Sequence, residues 1–468
     1  MLDFENYISP FSWRYSSPEM RRIWSEKNKR RTWRKIWVAL AQVQLEYGLV
    51  NTDQLADLEN NAENIDIERA LQIEAEIHHD LMAELKTYAE QCHLGGGIIH
   101  LGATSMDIED NADALRLRQS LDIILLKLGS LLSIFSKRIS AWAEIPVIAF
   151  THLQPAEPST LGYRLAFYAQ DLLADFEYLK RLRQQIKGKG FKGAVGTAAA
   201  YFELVGADQI DQFENRLSSA LDLPFFTITT QTYPRRQDYE IISALAGLGA
   251  GLYKFAFDIR LLQSPPVGEL SEPFGEKQIG SSAMPFKRNP ILAEKIDSLS
   301  RALAQMPQLA WQNAAHSLLE RTLDDSANRR SLLPEAFMIC DEILRTAIKL
   351  MQGLQINQTN IERNLAIYAP FASTERLLMA LVQAGANRQE MHENLRKYAL
   401  LAWEAIQRGE NNPLKKCVSE DDLFNKYLSA DQIGSLFNVD GYVGIGPERS
   451  HQLAAAIQAV LNEDRQKD

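Results

Sequence analysis

The chain is 468 residues long, 46% hydrophobic and 24% charged, as expected of a soluble globular protein of about three domains. Its formal net charge of −10 argues against nonspecific nucleic-acid binding as the main activity. Three scattered cysteines, acidic residues where a secretion signal needs basic and then apolar ones, and no unbroken apolar run of roughly 18 residues lead us to expect a cytoplasmic protein with no disulfide framework, zinc site or membrane span.

Near the N-terminus a basic run (Arg21, Arg22, Lys27, Lys29, Arg30, Arg31, Arg34, Lys35) is interleaved with Trp24, Trp33, Trp37 and Leu40. That pattern reads as a partly buried helix with a solvated or subunit-facing basic side rather than a polyanion site. Short amphipathic pieces continue to Thr104, so residues 1–104 are expected to form a small helical domain. From Leu117 the apolar positions 121, 124, 128, 131, 135, 139 and 142 step by three and four, a seam of coiled-coil type. The spacing predicts a helix over about 111–144, ended by Pro146. The stepping recurs from Leu161 to Ile186 and from Ile241 to Leu262, and a fourth and a fifth helix are expected after Pro290 and Arg330. Between the second and third helices, Gly193-Ala194-Val195-Gly196-Thr197 lacks the strand and spacing of a dinucleotide or phosphate loop and reads as a turn. Residues 105–357 therefore read as a bundle of long helices, and 358–468 as a domain of short helices with a charged tail from Asn462 that frays. The fold class is all-α in three domains.

The segment 264–290 interrupts this pattern. Pro265, Pro266, Pro273, Pro285 and Pro290, with Gly268, Gly275 and Gly280, exclude regular structure between flanking amphipathic helices. Loops this long inside a domain are usually functional or disordered. Within it, Gly280-Ser281-Ser282-Ala283-Met284-Pro285-Phe286-Lys287-Arg288-Asn289-Pro290 gathers a nucleophilic hydroxyl, two cations and an amide, and reads as a catalytic loop.

This undecapeptide resembles the signature of the fumarase/aspartase superfamily, whose members release fumarate by β-elimination. Arg14-Tyr15, His78-His79-Asp80, His100 to Ser105, Thr151 to Ala156, Gln231-Thr232-Tyr233 and Arg321 to Arg330 resemble, in order, the motifs of one branch of it, the adenylosuccinate lyase family. The resemblance implies a fumarase-type bundle and purine-nucleotide chemistry, splitting adenylosuccinate to AMP and fumarate and cleaving the succinylated aminoimidazole carboxamide ribotide. It implies a homotetramer with active sites shared between subunits and no cofactor. Argininosuccinate lyase or another fumarate-releasing relative is the enzymatic alternative, and a catalytically silent protein on the same scaffold is the alternative of another class.

Elimination needs a base for a weakly acidic C–H, an acid for the leaving nitrogen, and clamps for anions. By resemblance Ser281 is the base, its alkoxide held by Lys287 and backbone N–H groups, and Asn289 anchors a substrate carboxylate. His152 is the general acid, histidine being able to give and regain a proton near neutral pH. His79, followed by Asp80, assists it. The resemblance assigns phosphate contacts to Arg14, Tyr15, Arg321, Ser326 and Arg330, and contacts with the succinyl group and base to Thr104, Ser105 and Gln231. His78, expected to point to a different side of a helix from His79, is a bystander at the substrate site, and no metal is expected. Three departures stand out: Phe286 where relatives carry His or Tyr, Pro234 where they often carry Ser, and Lys295 in place of a substrate-contacting arginine.

Overall fold

The computed structural model describes residues 4–439 and 441–465. Helices dominate, joined by two small antiparallel strand pairs, Pro146–Thr151 with Gln154–Thr160 and Leu270–Ser271 with Gln355–Ile356. Spatial contacts group the chain into two units, and the divisions fall within the long helices. The first comprises Met1–Leu128, Asp175–Ala250 and Ser298–Arg345, the second Gly129–Ala174, Gly251–Asp297 and Thr346–Asp468.

The predicted seams are buried. The helix Ser105–Ala141 starts earlier than its apolar pattern because Thr104 and Asp107 organise its first turn, the Asp107 carboxylate accepting from the Thr104 N–H at 2.9 Å. All its seam positions from Leu117 to Ile139 are inaccessible to solvent. Leu161–Gln185 and Arg236–Gln263 bury theirs in the same way. Ser105–Ala141, Arg236–Gln263 and Gln358–Gln383 are long and apolar enough to cross a membrane by length and composition. None is an unbroken apolar run, because charged residues interrupt each, as Asp122 and Lys127 do in the first.

In the first unit the basic run occupies Pro18–Ile23 and Glu26–Glu46, each capped by a serine (Ser17, Ser25). Its basic side is not simply solvated. Arg30 and Arg34 are fully buried, both paired with buried Glu84 of Asp80–Gln91, at 2.9 and 2.7 Å. Arg34 also stacks over the Tyr88 ring. Sequence spacing shows the apolar face of a helix but cannot show that a distant carboxylate draws two arginines inward.

In the second unit, Phe255 meets Phe135 and Tyr168 edge to face, with centroids 5.3 and 5.5 Å apart. The C-terminal part differs from the expected short helices: Gln358–Gln383, Arg388–Gln407 and Gly446–Arg465 are long, with shorter ones only between 414 and 436. Leu377, Leu381, Met391, Leu395, Phe424 and Ile433 form its core. The tail expected to fray is helical through Arg465, and residues 466–468 lie outside the described residues.

Candidate active site

The first unit contains a cavity of about 460 Å³. His78, His79, Asp80, Thr104, Ser105, Gln231, Arg321, Ser326 and Arg330, drawn from four separate motifs, all line it.

The histidines stand at a helix junction and not on a helix. His78 ends Ile67–Ile77 in the left-handed conformation (φ 55°), and His79 begins Asp80–Gln91 as its N-cap. This reversal turns the His79 ring toward the N-terminus of Ser105–Ala141. Its Nδ1 accepts from the Met82 N–H at 3.4 Å, so in the neutral ring Nε2 carries the hydrogen and faces Ser105 Oγ, also at 3.4 Å. Asp80 lies beside it and accepts from Arg330 at 2.8 Å. Burial alone would raise the Asp80 pKa, but the charge and hydrogen bond of Arg330 and the Leu81 N–H outweigh it and hold the carboxylate below its usual range.

Arg330 belongs to the helix Asp324–Gly353, whose opening turn also carries Ser326. Its neighbour Arg329 is buried, bonded to Asp238 at 2.8 Å and the Tyr233 hydroxyl at 2.9 Å. The pair is therefore not a solvated helix face: one arginine is built into the wall, while Arg330 is half-exposed at the cavity. Arg321 pairs with Asp325, which also accepts from buried Arg235. A carboxylate thus positions each arginine whose fork suits a phosphate.

The sequence reading missed Glu109, Asp113 and Arg116, which line the cavity from the same helix as Ser105. Their spacing of four, four and three from Ser105 is a polar stripe on one helical face and was legible as such. Asp113 pairs with Arg116 and Arg329. Burial, and after it the charges of Asp80, Asp113 and Asp110, push the Glu109 carboxyl up to about 8.

Arg14 and Tyr15 also belong to the first unit but do not line this cavity. They follow a short turn, Pro10–Ser12, where Tyr15 contacts Phe11 and Arg14 lies 6.0 Å from the Tyr15 ring centroid. His100, in the same motif as Thr104 and Ser105, accepts from the Trp37 indole at 3.0 Å and has a packing role.

His152, Ser281, Lys287, Asn289 and Lys295 belong to the second unit. His152 lies in the break between the long helices Ser105–Ala141 and Leu161–Gln185, where it and Leu153 form the two-residue turn of the Pro146–Thr160 hairpin, with φ of 53° and 59°, and its ring is exposed. Two consecutive left-handed residues are the backbone of a type I′ hairpin turn. In the Gly280–Pro290 loop, Ser281 Oγ accepts from the backbone N–H groups of Ala283 and Met284, at 3.3 and 3.1 Å. The Asn289 amide donates to Gly280 O at 3.0 Å and ties the loop's ends together. Lys287 is exposed, and its side chain makes no hydrogen bond or ion pair among the described residues. Lys295 lies on Ile291–Leu303. Among the described residues no group of three His, Cys, Asp or Glu side chains is placed to hold a metal ion.

The family profile described as "Lyase" matches residues 11–303, and that described as "Adenylosuccinate lyase C-terminus" matches residues 370–449. The chain is 37% identical over 457 residues to adenylosuccinate lyase of Saccharomyces cerevisiae, covering 96% of this chain and 94% of that protein. It is 40% identical over 439 residues to adenylosuccinate lyase of Schistosoma mansoni, covering 92% and 90%. Among solved structures, the 3-carboxy-cis,cis-muconate lactonizing enzyme from Pseudomonas putida superposes with a TM-score of 0.85 at 25% identity, over 96% of this chain and 99% of that one. Near-full-length identity of this order, with matching profiles at both ends, means that the chain belongs to the adenylosuccinate lyase family.

Proposed function

We propose that the protein splits adenylosuccinate into AMP and fumarate, and cleaves the succinylated aminoimidazole carboxamide ribotide by the same β-elimination, as a cytoplasmic homotetramer of three-domain subunits (1–104, 105–357, 358–468). One observation carries this reading: His79, Ser105 and the Arg330–Asp80 pair line a single cavity of about 460 Å³. Arginine forks with carboxylates behind them suit a phosphate, and the neighbouring hydroxyls and histidine suit a succinyl group.

In the proposed reaction Ser281 removes the C–H proton beside a succinyl carboxylate, the C–N bond breaks as the C=C bond of fumarate forms, and His152 delivers a proton to the departing nitrogen. His79 holds the succinyl group in line with its Nε2–H. The two N–H groups aimed at Ser281 Oγ favour its alkoxide, and Lys287 adds positive charge. Arg321, Ser326 and Arg330 hold the phosphate, Arg14 and Tyr15, which lie outside the cavity lining, join them when substrate is bound, and Asn289 and Lys295 hold the succinyl end once the loop meets substrate. His152 and Ser281 of one site come from different subunits.

The test is fumarate release by the purified protein, followed by ultraviolet absorbance, with adenylosuccinate and argininosuccinate as separate substrates. Turnover of adenylosuccinate alone is expected. Turnover of argininosuccinate alone, or of neither, overturns the reading.

A further inference from the structure

The charged groups on the walls of the nucleotide cavity are paired with one exception. Asp80 holds Arg330, Asp113 holds Arg116 and Arg329, and on the opposite helices Glu26 holds Lys29 while Glu74 approaches Arg30 at 3.8 Å. The Glu109 carboxyl makes no hydrogen bond or ion pair among the described residues, although it lines the same cavity one turn beyond Ser105. A carboxyl group so placed must either keep its proton or add a negative charge to a pocket that receives a phosphate and two carboxylates.

The groups around it favour the proton. Asp110 and Asp113 of its own helix and Asp80 of the neighbouring helix act on it with like charge, and Arg330 is the cation that opposes them. Asp80 already occupies Arg330 at 2.8 Å, so little of that charge is left for Glu109. Anions in the pocket would push in the same direction. A neutral carboxyl is also a donor, and an anionic oxygen is the acceptor the bound nucleotide brings.

We propose that Glu109 meets the substrate as a neutral carboxylic acid that donates a hydrogen bond to one of its anionic oxygens, either of the phosphate or of the succinyl group. This rests on the reading of the cavity as the nucleotide site. Nucleotide affinity then falls in the alkaline range as Glu109 ionises, and binding there takes a proton from solution.

The test is calorimetric titration of the full-length protein and Glu109→Gln with AMP, which carries the phosphate alone, and with succinate, which carries the carboxylates alone. Glutamine keeps a donor and cannot ionise. The ratio of parent Kd to Glu109→Gln Kd is expected to rise roughly tenfold between pH 7.5 and pH 9.5 for the ligand whose oxygen Glu109 meets. In the parent, two buffers of different ionisation enthalpy at pH 9 should report uptake approaching one proton per ligand, a measurement that does not depend on the variant folding. A flat ratio with both ligands, or no proton uptake by the parent, overturns the proposal while leaving the site assignment intact. Failure of AMP to bind the parent at any pH overturns both.

Discussion

At the scale of single residues, Ser281 and Arg330 make separable predictions because one acts only in the transition state and the other throughout. Ser281→Ala should lower kcat on the order of a hundredfold or more with little change in AMP affinity, and Ser282→Ala should do less. Steady-state kinetics of the two variants decide it, and the reverse order would remove Ser281 as the base. Arg330→Ala should raise KM by roughly tenfold or more and lower kcat much less, since a phosphate clamp holds ground and transition states alike. A fall confined to kcat would rule out that clamp. Some of the residues whose motifs were legible in the sequence gather in one place: His79, Ser105, Gln231 and Arg330 come from stretches far apart in the chain and line one cavity, whereas Arg14 and Tyr15 do not line it. Glu109 escaped because its significance lies in what does not pair with it, and no spacing rule records that.

At the scale of elements, the pairing of Glu26–Glu46 with Asp80–Gln91 depends on one buried carboxylate between two buried guanidinium groups. Glu84→Ala removes the carboxylate both share, leaving Arg30 only the longer contacts with Glu26 and Glu74 at 3.8 Å, and should cost about 3–5 kcal/mol, read as a shift in the urea unfolding midpoint at fixed protein concentration. A loss below about 1 kcal/mol would show that water compensates the arginines. The long helices were legible because a three-and-four step cannot serve a strand, and the seam positions from Leu117 to Ile139 all turned inward. The Pro146–Thr160 hairpin was not. Pro155 and Pro158 spoil its alternation, and its turn uses His152-Leu153 where Asn-Gly would signal a reversal. The C-terminal helices were read too short partly because Pro370 lies inside Gln358–Gln383 without ending it.

At the scale of the whole molecule, apolar side chains remain exposed on the long helices, among them Leu126, Phe167 and Phe257. They are candidates for burial between subunits in the proposed tetramer. A shared site has an arithmetic signature. If His152→Ala and Ser281→Ala tetramers, each nearly inactive, are dissociated, mixed equally and reassembled at random, about one half times one half of the sites, roughly a quarter, receive both intact residues. Activity should return to about that fraction. No recovery in preparations shown by mass spectrometry to contain mixed tetramers would mean that one chain supplies both residues.

The two backbone N–H groups that point at Ser281 Oγ bear on how the protein tolerates mutation. They belong to Ala283 and Met284, and any residue except proline at those positions brings the same N–H. The help they give the serine is therefore insensitive to side-chain drift at the very positions that supply it. It is vulnerable instead at Gly280, where a Cβ would lie 1.9 Å from the Lys287 carbonyl oxygen, and at Asn289, whose amide closes the loop. Variation in this stretch should accordingly be permitted at 283 and 284 and purged at 280 and 289, although neither of the latter two touches the serine hydroxyl.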